Sequence, residues 1–340
     1  MFISGNEAIS KGCIAAGASY LAGYPITPAS DIMVYWLENL KKDERIFLQT
    51  EDEIAAMHSI IGASLAGRKA FTPTSGPGFS LMQEGLGLAF AYRAPLVLVN
   101  VMRQGPSTGM PTLFSQDEIM QTQFGTHGDH TAIVFYPNSV QECFDLAIDS
   151  FNAACESSSP VILLSDAYLA RMYENVNLQT DKKIANYPFE GVGTGTRHFT
   201  GLTNDNGRPD TKNEKTFVKW MDRIRKPIFE TAEKYSMYDY HKNSDSDTLV
   251  ISFGTTSRIV SEWKKEFALF RPIRLFPVLE KELNEAAKNY KNVVLIEGNY
   301  GQYTQVVQAA LKREVRHVGV LGGKIDPNQI YQQVKDVLKK

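Results

Sequence analysis

Four stretches of this 340-residue sequence gather residue types that can hold an organic acid and move a proton. In "GYPITPAS" (residues 23–30), Pro25 and Pro28 each fix φ near about −65°, which leaves Ile26 and Thr27 little freedom and holds the Thr27 hydroxyl in one direction. Such a hydroxyl at a strand-to-helix turn is either a helix cap or a ligand donor. In "QTEDEIAAMHSIIGASLAG" (49–67), the acids Glu51, Asp52 and Glu53 open a helix, where negative charge suits the macrodipole. Helical spacing puts Glu53 on the face of Met57, Ile60 and Ile61, so its carboxylate should point inward while Asp52 should point to solvent. A buried acid without an internal cation is costly unless it is protonated or bonded to a ligand, which makes Glu53 a functional candidate.

The third stretch, "TPTSGPGFSLM" (72–82), ends a strand in hydroxyls and opens a helix, with Gly76 and Gly78 permitting close approach of a ligand. It lacks the lysine of a phosphate-binding P-loop and reads equally as a capped turn. The fourth, "VNVMRQGPSTGMPT" (99–112), places Arg103 directly after a buried strand, as a surface cation or as a fork for a carboxylate. Ser107 and Thr108 follow in an exposed hydroxyl-rich loop. "FGTHGDH" (124–130) sets His127 and His130 three apart without a third ligand, so no metal is assigned and both read as structural or solvent-facing.

Positioning these residues is the task of an α/β scaffold. Apolar runs at 46, 69, 95, 131 and 160 alternate with helical periodicity over 52–67, 78–91 and 139–155, the pattern of a doubly wound parallel sheet covered on both faces. Ligands of such sheets gather at the carboxyl ends of the strands, where Gly and Pro punctuate this chain. Residues 176–245 turn polar and read as a connecting arm with one helix over 213–237. A second alternating segment follows through "TLVISFGTTS", "PIRLFPV", "NVVLIEGNYGQ" and "HVGVLGG", about four more strands. The expected domains are 1–175, the arm 176–245, and a smaller α/β domain over 246–340.

Bulk properties narrow the function classes. With 36 basic against 38 acidic residues and a net charge of −2, no long-range field recruits nucleic acid or an anionic membrane, so anions must be caught locally. Cys13, Cys143 and Cys155 lie far apart in helical patterns without a CxxC, which reads as buried reduced thiols and excludes a zinc or iron–sulfur centre of ordinary spacing in this chain. The N-terminus lacks the features of a signal peptide, and no apolar run of about 18 residues occurs, so a soluble cytoplasmic protein is expected.

Taken in order, "SGNEAISKGCIAAG", "YPITPAS", "QTEDEIAA", "GASLAG", "TPTSGPGFSLM", "MRQGPSTGMPT", "GTRHFTGL" and "NYGQ" resemble the α subunit of the 2-oxoacid:ferredoxin oxidoreductases over nearly the whole chain, most closely the 2-oxoglutarate type. The "TSGPG" run also resembles the pyrimidine-binding domain of thiamine diphosphate enzymes, and the C-terminal segment resembles the transketolase C-terminal-like domain. The resemblance implies that Thr27 and Arg103 hold the 2-oxoacid carboxylate, with Ser107 and Thr108 beside them. It implies that Glu53, with Glu51 as the competing assignment, bonds N1′ of the aminopyrimidine. Pro25, Ile26, Thr74, Ser75 and Gly76 would line the thiamine site.

The implied reaction is oxidative decarboxylation of a 2-oxoacid, with electrons passing singly to iron–sulfur clusters and ferredoxin and the acyl group to coenzyme A. The sequence has no GDG motif for Mg²⁺ and the diphosphate and no cluster cysteines. The resemblance therefore implies a β subunit carrying the Mg²⁺ and diphosphate site and a [4Fe–4S] cluster, and possibly γ and δ subunits. By this resemblance the chain is expected to open on the pyrimidine-type domain, without the γ-type region that is fused before it in some relatives. "MRQGPSTG" stands where the family more often has "RGGPSTG", so Gln104 can alter the substrate pocket, whereas "PSTGMPT" favours 2-oxoglutarate over pyruvate or branched-chain 2-oxoacids. The alternative from another class is a non-catalytic scaffold subunit with a thiamine-type fold.

Overall fold

The computed structural model describes residues 1–40, 44–187 and 200–339. Apolar runs that read as buried strands form a seven-stranded sheet, in the order Arg274–Phe276, Ile133–Phe135, Val161–Asp166, Leu96–Met102, Ala70–Thr74, Tyr20–Gly23, Ile46–Gln49. Every neighbouring pair is parallel except the first, which is antiparallel. The three central strands are buried at every residue because helices cover both faces. One face packs helices Gly5–Ala15, Ser30–Glu38 and Val140–Ser157, and the other packs Glu53–Leu65 and Gln83–Ala91.

A second sheet runs Tyr238–His241, Ala268–Pro272, Thr248–Ser252, Asn292–Glu297, Arg316–Gly319, again parallel but for its first strand. One apolar core joins both sheets, since Leu86, Leu98 and Val134 share a cluster with Ile251, Leu275 and Tyr303. Between them the arm supplies helix Glu214–Lys234, capped by the Asn213 side chain accepting from the Lys215 amide at 3.1 Å, with Ile224, Ile228 and Ala232 in the core beneath helix Val140–Ser157.

Two sequence expectations change in detail. "PIRLFPV" reads as a strand of the second sheet, but the chain divides there: Ala268–Pro272 stays in the second sheet and Arg274–Phe276 crosses to pair with Ile133–Phe135 in the first. The buried Arg274 guanidinium bonds the Tyr235 carbonyl at 3.0 Å and so holds the crossing. The helix expected over 78–91 is two helices, Gly76–Leu81 and Gln83–Ala91. At the break, Gln83 Nε2 bonds the Phe79 carbonyl at 3.0 Å, the acceptor its backbone N–H uses in an unbroken helix.

A buried polar seam locks the two sheets. Asp166 Oδ2 accepts from Tyr136 and Thr255 hydroxyls at 2.6 Å each, and its Oδ1 accepts from the amides of Tyr168 and Leu169 at 2.9 and 3.0 Å. Gln116 exchanges bonds with Gly298, its amide donating to the Gly298 carbonyl at 3.0 Å and its Oε1 accepting from the Gly298 amide at 2.7 Å. Its carbonyl accepts from Asn299 Nδ2 at 2.7 Å and its Nε2 donates to the Phe253 carbonyl at 3.0 Å. Buried groups stranded by the loss of a partner cost more than the bonds contributed. Asp166→Ala, which strands both hydroxyls, is therefore expected to destabilise the chain by about 3 kcal/mol, seen as a lowered urea midpoint.

Candidate functional site

Turn, strand end and helix start converge at the carboxyl edge of the first sheet. Arg103 directly follows strand Leu96–Met102 and is only 5% exposed. Its Nη1 donates to the Thr27 carbonyl at 2.7 Å, while Asn6 Nδ2 donates to the adjacent Pro28 carbonyl at 2.8 Å. Two side chains from different elements thus pin the stiffened turn. The following helix starts at Ser30 after Ala29 with no side-chain cap, and Thr27 is exposed, so its hydroxyl is not the helix cap. Pro25 is exposed and Ile26 half-buried in the same turn, the Ile26 carbonyl accepting from the amides of Ala29 and Ser30.

Glu53 begins helix Glu53–Leu65 and is 5% exposed, whereas Glu51 is exposed. Asp52, expected to face solvent, is half-buried, because it is the helix cap and its Oδ1 accepts from the Ala55 amide at 2.7 Å. Burial raises the proton affinity of Glu53; the Asp52 charge adds to the effect, and Glu53's own amide and the Arg103 charge oppose it. Glu53 Oε1 and Thr74 Oγ1 converge on Gly78, where a β-carbon would stand 2.4 and 2.3 Å from them. The Thr74 and Ser75 hydroxyls are buried and have no hydrogen-bond partner among the described residues. Gly76 adopts φ +38°, backbone that favours glycine. A buried acid, two partnerless hydroxyls and a cradle that a β-carbon would fill together fit the polar edge of a heterocycle.

Beside this cluster opens a cavity of about 710 Å³, lined among others by Gly76, Arg103, Gln104, Ser107, Glu118 and Tyr300. Arg103, Gly76 and Ser107 therefore meet in one wall, while Thr108 stands exposed in the same loop outside it. Asp117 Oδ2 fixes the loop's base by accepting from the Gly105 amide and from Gln104 Nε2, at 3.0 and 3.1 Å. Burial lowers the proton affinity of Arg103, and the charges of Glu118 and Glu53 partly oppose it.

Sequence reasoning misses Glu118, Asn6 and Gln116. Glu118 is 6% exposed, and burial, helped by Asp117, pushes its carboxyl up to about 8. Its only local signal is an acid before the short helix Ile119–Phe124. What buries it is remote, since Gln302 of the "NYGQ" loop accepts from the Met120 amide at 3.0 Å and donates to the Asp117 carbonyl. His127 is exposed and His130 buried, and among the described residues no group of three His, Cys, Asp or Glu is placed to hold a metal. Residues 195–199 of "GTRHFTGL" lie outside the described residues. Among the described residues no helix is long and apolar enough to cross a membrane.

Residues 11–240 match the family model described as "Pyruvate flavodoxin/ferredoxin oxidoreductase, thiamine diP-bdg". The chain is 37% identical to the 2-oxoglutarate synthase subunit KorA of Methanothermobacter marburgensis, over 98% of both chains. It is 36% identical to the protein of the same name from Archaeoglobus fulgidus, over 99% of both. Among solved structures it superposes with TM-score 0.90 and 28% identity on the 2-oxoglutarate:ferredoxin oxidoreductase of Magnetococcus marinus, whose structure holds 2-oxoglutarate, coenzyme A and succinyl-CoA. That match covers 99% of this chain and 65% of the other.

The convergence on Gly78 is open to a stability test. Gly78→Ala forces the Thr74 and Glu53 side chains apart and is expected to cost about 1–3 kcal/mol by overpacking. Gly62→Ala, on an exposed helical site with nothing within 4 Å of the added carbon, is expected to stabilise by about 0.5–1 kcal/mol. Urea denaturation of both variants checks the contrast.

Proposed function

Because the chain belongs to the pyruvate flavodoxin/ferredoxin oxidoreductase family, we propose that it is the α-type subunit of a 2-oxoacid:ferredoxin oxidoreductase. Its reaction is the oxidative decarboxylation of 2-oxoglutarate with coenzyme A to succinyl-CoA, carbon dioxide and reduced ferredoxin. The observation that carries this reading is the juxtaposition, at one sheet edge, of a buried cation able to hold a carboxylate and a buried acid able to hold a proton.

Thiamine diphosphate, when bound, supplies the electron sink that lets a 2-oxoacid lose carbon dioxide. Glu53 would face its pyrimidine edge, flanked by Thr74, Ser75 and the backbone of Gly76, with Pro25 and Ile26 shaping the opposite turn. Because burial raises its proton affinity, Glu53 Oε keeps a proton for a ring-nitrogen acceptor at a pH where an exposed glutamate has lost it. Arg103 holds the substrate carboxylate through its guanidinium fork, and Thr27, Ser107 and Thr108 add hydroxyl donors. The Arg103 bond to the Thr27 carbonyl aims fork and turn at the same point.

In this reading a β subunit completes the site with the diphosphate and Mg²⁺ ligands and the [4Fe–4S] cluster. The three cysteines here are buried free thiols, which leaves cluster ligation to that partner. The complex, with γ and δ subunits where they are present, works in the cytoplasm. Residues 1–175 serve as the pyrimidine-binding domain, 176–245 as the arm and 246–340 as the transketolase C-terminal-like domain.

The test is 2-oxoacid-dependent reduction of ferredoxin by the chain purified with its β partner, thiamine diphosphate, Mg²⁺ and coenzyme A. Preference for 2-oxoglutarate over pyruvate, 2-oxobutyrate and 2-oxoisovalerate is expected, with a loss of at least about 100-fold in kcat in Glu53→Gln. Preference for another 2-oxoacid would overturn the substrate; no reduction with any of them, in a complex loaded with clusters and thiamine diphosphate, would leave a scaffold subunit.

A further inference from the structure

Two buried polar atoms in the cavity wall have no hydrogen-bond partner among the described residues: the Nε of Arg103 and the Oε2 of Glu118. The side chains are 5% and 6% exposed, yet among the described residues they form no ion pair with each other. Gly76 separates them, and a β-carbon there would stand 3.4 Å from Glu118 Oε1 and 3.6 Å from Arg103 Nε. Only glycine leaves that space open. A donor on one side, a carboxyl on the other and a gap between them describe a site that is satisfied when an oxygen-rich group enters it. Gln302 holds the Glu118 segment from the second sheet's side, so the acid cannot swing away to water at little cost.

We propose that the Glu118 carboxyl, as a neutral acid, is the second ligand of the carboxylate that Arg103 holds, donating its proton in a hydrogen bond to one carboxylate oxygen. This rests on the 2-oxoacid reading above. Charge counting explains why the acid must be neutral. One guanidinium faces Glu53, Glu118 and an incoming carboxylate; with both acids ionised the pocket is already net negative and repels the substrate. Protonating Glu118 removes one of these negative charges, leaves the Arg103 charge less offset, and offers the substrate a donor.

The groups facing Glu118 are Asp117 from its own loop, Arg103 from the strand end, Tyr136 just after strand Ile133–Phe135 and Tyr300 in the cavity lining, with Glu53 acting through Arg103. Burial and Asp117 favour the acid form and Arg103 opposes it, which leaves the carboxyl at about 8. The proton is present below that pH and lost above it, so substrate capture weakens as pH rises through this window while kcat at saturating substrate changes less.

The experiment compares the αβ holoenzyme with its Glu118→Gln and Glu118→Ala variants from pH 6.5 to 9.5, reading kcat/KM for 2-oxoglutarate with ferredoxin as acceptor. Glutamine donates at every pH and cannot ionise. The ratio of kcat/KM in Glu118→Gln to that in the parent is expected to rise about tenfold between pH 7 and 9, as follows for loss of one proton near 8. Glu118→Ala, lacking a donor, is expected to raise KM about tenfold or more at pH 7 with thiamine diphosphate loading unchanged. A ratio that stays flat across the range, or a Glu118→Ala variant with the parent's KM, would overturn the inference while 2-oxoacid turnover keeps the parent reading intact. Absence of turnover by the unmodified holoenzyme overturns both.

Discussion

The bond from the Arg103 guanidinium to the Thr27 carbonyl is the contact around which the site is arranged. A cation taken this far out of water is tolerable only where nearby negative charge and hydrogen bonds replace its hydration. Here the turn's Thr27 carbonyl supplies the hydrogen bond, while Glu53 at a helix start and Glu118 on a segment held by the second sheet lend negative charge only in so far as they are ionised. Each of these also feels the cation, so the protonation of both acids and the charge of the pocket form one coupled system. Removing any member changes the electrostatics of the others, even where no direct contact is lost.

How much was legible in the sequence follows from how local each cause is. Strands Leu96–Met102 and Val161–Asp166 declare themselves because burial on both faces demands unbroken apolar residues. Glu53 could be singled out because its inward direction follows from three neighbours on its own helix, all of which the structure buries. Arg103 stood out by its place at a strand's carboxyl end.

Glu118 did not, because nothing within ten residues of it dictates burial. The Gln302 side chain and the Gly298 carbonyl press its segment against the first sheet from about 180 residues away. Asn6 escaped notice for the same reason, since its partner is the Pro28 carbonyl in a different turn. The crossing at Ile273 is hidden because Ala268–Pro272 and Arg274–Phe276 are both short segments mixing an arginine with apolar residues, and segments of five and three residues carry no mark of the sheet they will join.

That crossing governs the order in which the molecule can be completed. Strand Arg274–Phe276 covers the otherwise unpaired edge of Ile133–Phe135, so the N-terminal sheet leaves the ribosome with an open edge and keeps it until more than a hundred further residues have been made. The shared core closes later still, when Tyr303, Val307 and Leu311 arrive. The larger sheet therefore does not mature ahead of the smaller one; synthesis of the C-terminal quarter is the event that finishes both, and a nascent chain halted before it presents a sheet edge ready to pair with a neighbour.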